Sequence, residues 1–172
     1  MSRAVLSVGS NLGDRLALLQ SAVDGLGPGV RAVSGVYETE AWGGVEQGPF
    51  LNAVLIVDDP AADGDAWLRR AHELEQAAER VRTQRWGPRT LDVDVISCHD
   101  QQGTEVLSDD DRLTLPHPRA HLRAFVLVPW LSIEPEARLT VAGRPRAVTD
   151  LLDELEPAER AGVALTDLVL TL

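Results

Sequence analysis

Apolar positions recur along this chain with two different periods, and the periods divide it into strands and helices. Arg3–Gly9 alternates, with Ala4, Leu6 and Val8 on one side and Val5 and Ser7 on the other, which predicts a buried strand. Ser10–Asp14 has turn and helix-cap chemistry. Leu12, Leu16, Leu19, Val23 and Leu26 then fall three or four apart, which predicts an amphipathic helix that the glycines at 25, 27 and 29 bring to an end. Val30–Glu38 reads as a second strand, Glu40–Pro49 as a glycine-rich loop, and Phe50–Asp58 as a third strand. Apolar residues fill nearly all of that third strand on both faces, so it is predicted to be central. After a turn at Pro60–Asp65, the stripe Trp67, Ala71, Leu74, Ala78 and Val81 predicts a long helix, and Leu91–Ser97 a fourth strand.

The rest of the chain is less regular. His99–Gly103 reads as a polar turn, Thr104–Leu107 as a short strand, and Asp109–Asp111 as a solvated loop. Prolines hold Arg112–Pro118 extended. Ala120–Leu131 predicts a short helix, Arg138–Val141 with Gly143 and Pro145 a small hairpin, Val148–Leu155 a short acidic helix, and Val163–Leu172 a final strand. The order to residue 97 is β-α-β-β-α-β. This predicts an α+β protein with a ferredoxin-like core, in which helices cover one face of a mostly antiparallel sheet and the C-terminal third adds helices and a hairpin. One domain over residues 1–172 is expected, with 158–172 a tail whose role the pattern does not define.

Composition narrows the chemistry. The net charge is −11, which argues against general nucleic-acid binding. No apolar run approaches a membrane span and no signal peptide is read, so a cytoplasmic location is the expectation. A monomer is expected as well, although no sequence feature sets the oligomeric state. The single cysteine, Cys98, excludes an internal disulfide and a multi-cysteine zinc site. Every basic residue is arginine, which removes lysine Schiff-base chemistry and the lysine-bearing P-loop.

The arginines are unevenly placed. Residues 80–89 hold Arg80, Arg82, Arg85 and Arg89 with no acid, and Leu91-Asp92-Val93-Asp94-Val95-Ile96 follows at once. In a strand Asp92 and Asp94 share one face. Two adjacent carboxylates suit a cation between them, and hard oxygen ligands suit Mg²⁺. Guanidinium groups bind phosphate through paired hydrogen bonds. Together these point to phosphoryl or pyrophosphoryl transfer from a nucleotide. Plainer readings stand beside this one. Arg80 and Arg82 also suit a solvated helix C-terminus, and a D-x-D pair occurs in glycosyl and nucleotidyl transferases. His117, held between Pro116 and Pro118, is a candidate phosphate contact or a structural residue. Phe50, Asn52 and Phe125 could hold a flat heterocycle or pack a core.

The segment 85–96, Arg-Trp-Gly-Pro-Arg-Thr-Leu-Asp-Val-Asp-Val-Ile, resembles the signature of the 6-hydroxymethyl-7,8-dihydropterin pyrophosphokinases of folate biosynthesis. Ser7–Arg15, Tyr37-Glu38-Thr39, Phe50-Leu51-Asn52-Ala53, Arg112–Arg119 and Arg123-Ala124-Phe125 are similar to that family too, in the same order from about residue 4 to 155. The resemblance implies transfer of pyrophosphate from ATP, as co-substrate, to the hydroxymethyl group of the dihydropterin, releasing AMP. It implies two Mg²⁺ ions on Asp92 and Asp94, with Arg80 and Arg89 also catalytic. The implied ATP contacts are Glu75, Arg82, Arg85, Trp86, Arg89, Ile96, Arg112, Thr114, His117 and Arg123. The implied pterin contacts are Thr39, Glu40, Trp42, Phe50, Asn52 and Phe125. His72 stands where the family often has glutamine, and Glu40-Ala41 where it often has two prolines. No side chain stands out as a general base, so activation of the acceptor hydroxyl is expected through carboxylate-held metal. A binding module without activity and a D-x-D transferase are the competing classes. AMP as product separates them.

Overall fold

The computed structural model describes residues 2–40, 48–80 and 91–172. Strand β1 (Ser2–Ser10) leads into α1 (Arg15–Leu26). The Asp14 carboxylate caps that helix by accepting from the Ala17 N–H at 3.1 Å. Gly27 stops it with φ 68, a left-handed conformation that disfavours side chains, while its N–H bonds the Val23 carbonyl. Leu12 therefore lies before the helix and is exposed, and the buried stripe is Leu19, Ala22 and Val23.

The predicted second strand is two strands, β2 (Val30–Val33) and β3 (Tyr37–Thr39), and both pair with β4 (Phe50–Asp59). Ser34 explains the interruption. Its N–H donates to the Val54 carbonyl at 2.9 Å, and its Oγ accepts the Val54 N–H at 2.9 Å. The hydroxyl thus stands in for a main-chain acceptor, so the strand leaves the ladder without orphaning β4. Helix α2 (Gly64–Arg80), capped by Asp63 on the Ala66 N–H at 2.8 Å, precedes β5 (Asp92–His99).

The main sheet runs β10-β3-β4-β1-β5, where β10 is Val163–Leu165, and its pairings among the described residues are antiparallel. Strand β4 is central, as its apolar pattern predicts. Ala4, Leu6 and Val8 of β1, with Leu51, Ala53, Leu55 and Val57 of β4, face α1 and α2 and bury Trp67 and Ala71.

The second face is also covered, by a helix from the C-terminal third. Val5, Val54, Ile56 and Ile96 pack against α3 (Ala124–Ile133), chiefly Val126, Leu127 and Trp130. The physical reason is visible on β4: apolar side chains on both faces need cover, and each full burial stabilises by about 1.5–3 kcal/mol. The cover stops short of one end of the sheet. There the same face turns polar, with Ser7, Gly9, Asn52, Asp92 and Asp94, and stays open.

Smaller elements complete the chain. Strands β6 (Ser108–Asp109) and β7 (Thr114–Leu115) form a short hairpin, so the acidic loop begins inside a strand. Thr104–Leu107 is not a strand; Glu105 makes an isolated bridge to His99. The predicted helix from Ala120 opens as a 3-10 turn over Ala120–Leu122 before α3. The predicted hairpin is present as β8 (Arg138–Val141) and β9 (Arg144–Ala147), with positive φ at Ala142 and Gly143, as a tight two-residue turn requires. Two short helices follow, α4 (Val148–Asp153) and α5 (Pro157–Ala161). Only the first three residues of the predicted final strand are one. Beyond β10 the chain runs back to α1, buries Leu170 in the first core, and bonds Thr171 to Gln20 in both directions at 2.7 and 2.9 Å.

Candidate active site

The open polar end of the sheet is the floor of a cleft of about 450 Å³, and the strand register sets out its residues. Asn52 of β4 pairs with Gly9 of β1, and Gly9 pairs with Asp92 of β5. The amide and the carboxylate thus stand in one row, two strand spacings or about 10 Å apart. Asp94 lies two residues along β5, opposite Ser7. Small residues in the middle strand leave the space between amide and acids open.

Asn52 is 4% exposed, and its Nδ2 donates to Thr39 Oγ1 at 2.7 Å. That bond fixes the amide and leaves Oδ1 toward Gly9, where an added Cβ would sit 2.8 Å from it. Phe50 and Phe125, the two phenylalanines of the chain, both line the cleft. Phe125 arrives on the first turn of α3. Arg123, just before it, places its guanidinium 5.6 Å from the Phe125 ring centre and 3.7 Å from Asp94 Oδ2.

Glu75 reaches the acid pair from behind. Strand β5 is an edge of the sheet, so its outward N–H groups need partners. Glu75 Oε2 accepts the Val93 N–H at 3.0 Å, between the two aspartates. His117 lines a neighbouring hollow with Thr114. Burial, the largest influence, holds its imidazole below the ordinary histidine range. Asp94 pulls the other way, and Arg123 and Arg119 add to the lowering. Its Nδ1 accepts the Arg119 N–H at 3.2 Å, so the neutral ring carries its proton on Nε2. Arg112 belongs to a third hollow with His72, where it pairs with Asp65 at 3.3 Å.

The cleft therefore gathers eight of the candidate residues named from the sequence: Thr39, Glu40, Phe50, Asn52, Asp92, Asp94, Arg123 and Phe125. Glu75, Arg112, Thr114 and His117 stand outside its lining. Ile96 is fully buried, with 0% exposure, and its side chain packs in the second core. The register between β1 and β5 shifts there, so three residues, Val95–Ser97, span two of β1. Trp42, Arg82, Arg85, Trp86, Arg89 and the side chain of Arg80 lie outside the described residues.

This arrangement offers a slot with an aromatic on either element, a fixed amide at one end, and a carboxylate pair beside a guanidinium at the other. A sequence model of the family described as 7,8-dihydro-6-hydroxymethylpterin-pyrophosphokinase (HPPK) matches residues 5–135. The chain belongs to this family. Among similar pyrophosphokinases, that of Mycobacterium tuberculosis is 63% identical over 169 residues, covering 96% of this chain and 90% of the relative. That of Mycobacterium leprae is 64% identical over 177 aligned positions, covering 100% and 93%. Wild-type Plasmodium falciparum HPPK-DHPS, crystallised with pterin and p-hydroxybenzoate, matches with a TM-score of 0.63 at 13% identity, over 89% of this chain and 43% of that one. At that identity the likeness carries the fold alone, and this chain spans under half of that longer chain. As a member of the family, this pyrophosphokinase transfers pyrophosphate from ATP to hydroxymethyldihydropterin, a step of folate biosynthesis.

Two features of the pyrophosphokinase escape sequence reasoning. Arg119 and Leu122 line the cleft. Arg119 follows Pro118 in a quoted motif, yet nothing in its spacing assigns it a role. Gly9 acquires meaning only from its register partners, Asn52 and Asp92. Among the described residues no helix is long and apolar enough to cross a membrane.

Proposed function

We propose that the pyrophosphokinase holds its pterin between Phe50 and Phe125, with the polar ring edge on Asn52 and Thr39 and the hydroxymethyl group toward Asp92 and Asp94. The observation that carries this reading is the row Asn52, Gly9, Asp92, which spaces a fixed amide and an acid pair about two strands apart in one cleft. Glu40 lines the cleft beside Thr39 on the pterin side, and Trp42, two residues further along the sequence, is proposed as another pterin contact.

The acid pair fits Mg²⁺. Two carboxylates share one face of an edge strand, and the Asp94 side chain is 44% exposed, so both can be approached. Among the described residues no group of three or more His, Cys, Asp or Glu could hold a metal. A site with two protein carboxylates suits Mg²⁺ whose other ligands are triphosphate oxygens and water. Two such ions would neutralise phosphate charge and align donor and acceptor oxygens.

The remaining work falls to this chain's own groups. Arg123 lies near Asp94 in the free protein and can exchange that carboxylate for a phosphate. Arg119, and Arg80, Arg82, Arg85 and Arg89 from the arginine-rich segment, supply further cations for the triphosphate. His117, held neutral with a proton on Nε2, suits hydrogen-bond donation to a phosphate oxygen better than proton abstraction. Glu75, Thr114, Arg112 and Trp86 complete the nucleotide side. Transfers of this kind depend mostly on positioning and charge neutralisation, so a missing general base is no obstacle.

A monomeric enzyme folded as one domain over 1–172 completes this reading. The buried free cysteine and net charge of −11 suit a cytoplasmic protein that binds no nucleic acid.

The test is AMP formation from ATP, measured with and without hydroxymethyldihydropterin and Mg²⁺, for the wild type and Asp94→Ala. AMP should depend on both additions. Asp94→Ala should lose about 10²–10³-fold in rate while folding normally, the scale of removing one charge-stabilising group. Pterin-independent AMP, or full activity in the variant, would refute the proposal.

A further inference from the structure

The C-terminal segment Pro157–Leu172 lies beyond the stretch matched by the family model, and it meets the acceptor side of the cleft at two separate places. The first is β10. Val163 pairs with Thr39, Ala164 with Glu38 and Leu165 with Tyr37. Just beyond, the Thr166 N–H and Oγ1 both donate to the Val36 carbonyl, at 3.0 and 2.8 Å. Without these bonds β3 would be a three-residue edge strand paired on one side. Strand β3 carries Thr39, which accepts the Asn52 amide.

The second place is the start of α3. Arg123 occupies the N-cap position and makes no side-chain cap bond there. Instead Glu159 of α5 reaches across, and its Oε1 accepts the Ala124 N–H at 3.2 Å. A carboxylate there satisfies an otherwise orphaned donor and opposes the positive end of the helix. Ala124 sits between Arg123 and Phe125, the two residues of this turn that line the cleft. The far end of the segment is held too, by buried Leu170 and the paired bonds between Thr171 and Gln20.

We infer that Pro157–Leu172 is a positioning element of the acceptor pocket, with Glu159 the residue that fixes the turn presenting Arg123 and Phe125. Neither contact touches substrate. One holds the strand behind the amide, and the other holds the helix start behind the ring. The inference rests on the proposed placement of the pterin against Phe125 and Asn52.

The experiment compares the wild type, Glu159→Ala and Glu159→Gln. It measures pterin Kd by calorimetry, with a saturating non-hydrolysable ATP analogue present, and the urea midpoint of each protein. Glu159 is half-buried near the surface, so the alanine variant should fold, and its urea midpoint verifies that. Loss of a helix cap predicts pterin binding weakened about 5- to 10-fold in Glu159→Ala. Glu159→Gln keeps an acceptor and should stay within about twofold of wild type. A lowered urea midpoint with unchanged pterin Kd would reduce Glu159 to a structural cap and overturn the inference. So would a glutamine variant as weak as the alanine one. A wild type that binds no pterin would instead overturn the pocket assignment itself, a result distinct from either.

Discussion

Gly9→Ala tests the centre of the proposed cleft with one methyl group. Gly9 lies inside β1 with no positive φ, so alanine can adopt its backbone conformation. Reduced freedom of the unfolded chain would then make the change stabilising by about 0.4–1 kcal/mol if the site had room. It does not. The new Cβ would sit 2.8 Å from Asn52 Oδ1, where ordinary contact begins at 3.4 Å, so the amide must retreat by about 0.6 Å. Asn52 is buried, and its Nδ2 already lies 2.7 Å from Thr39 on the strand opposite β1, so retreat from Gly9 drives the amide against Thr39 and turns it out of good hydrogen-bond geometry. Weakening a buried hydrogen bond costs about 1 kcal/mol, and residual overpacking about as much again. The expected sum is a net destabilisation of about 1–2 kcal/mol. The displaced amide should also weaken pterin binding by tenfold or more, at about 1.4 kcal/mol per factor of ten. ATP-analogue affinity should stay within twofold. Urea unfolding and two calorimetric titrations measure all three quantities. A variant that is more stable than wild type and binds pterin equally well would show that the Gly9–Asn52 approach does not shape the site.

Two further outcomes follow from titrating groups. His117 is held below 6.5 in the folded protein, mainly by burial, so the unfolded chain takes up the proton first as pH falls. Its contribution to stability is present above 6.5 and is lost as pH drops through the folded value. The urea midpoint should therefore decline just below pH 6.5, less steeply in His117→Asn, and equal slopes would refute the assignment. Burial pushes the Cys98 thiol from 9.0 up to about 12, so at pH 8 its thiolate is about a thousandfold scarcer than for an ordinary thiol. Alkylation of the native protein should accordingly await unfolding. Rapid labelling without loss of structure would contradict the buried position.

Much of the site is legible in the chain because it is local. Period-two alternation puts Asp92 and Asp94 on one face of β5, and nothing distant is needed to see it. The same holds for Phe50 and Asn52 on β4, for the stripe of α2, and for the end of α1 at Gly27. Other features are hidden because they arise from pairing. Ser34 looks like an ordinary strand residue until its hydroxyl is found against Val54. Ile96 shares the face of Asp92 and Asp94, yet α3 covers that face at its position and the residue is buried in the second core. Glu105 has strand-like neighbours, yet only one bridge forms around it.

The sequence by itself determined the family, the acid pair, the aromatic and amide candidates, and the order of the core elements. Each depends on residue identity and on periods of two or about four residues, which the backbone imposes within one segment. Tertiary structure decided the rest. It aligned Asn52, Gly9 and Asp92 from three strands, laid α3 over the second sheet face but not over its polar end, and brought Glu159 to Ala124 and Glu75 to Val93. Those placements depend on hydrogen-bond register and packing between segments far apart in sequence. A local pattern says which face a residue occupies, and only the assembled sheet says what stands opposite it.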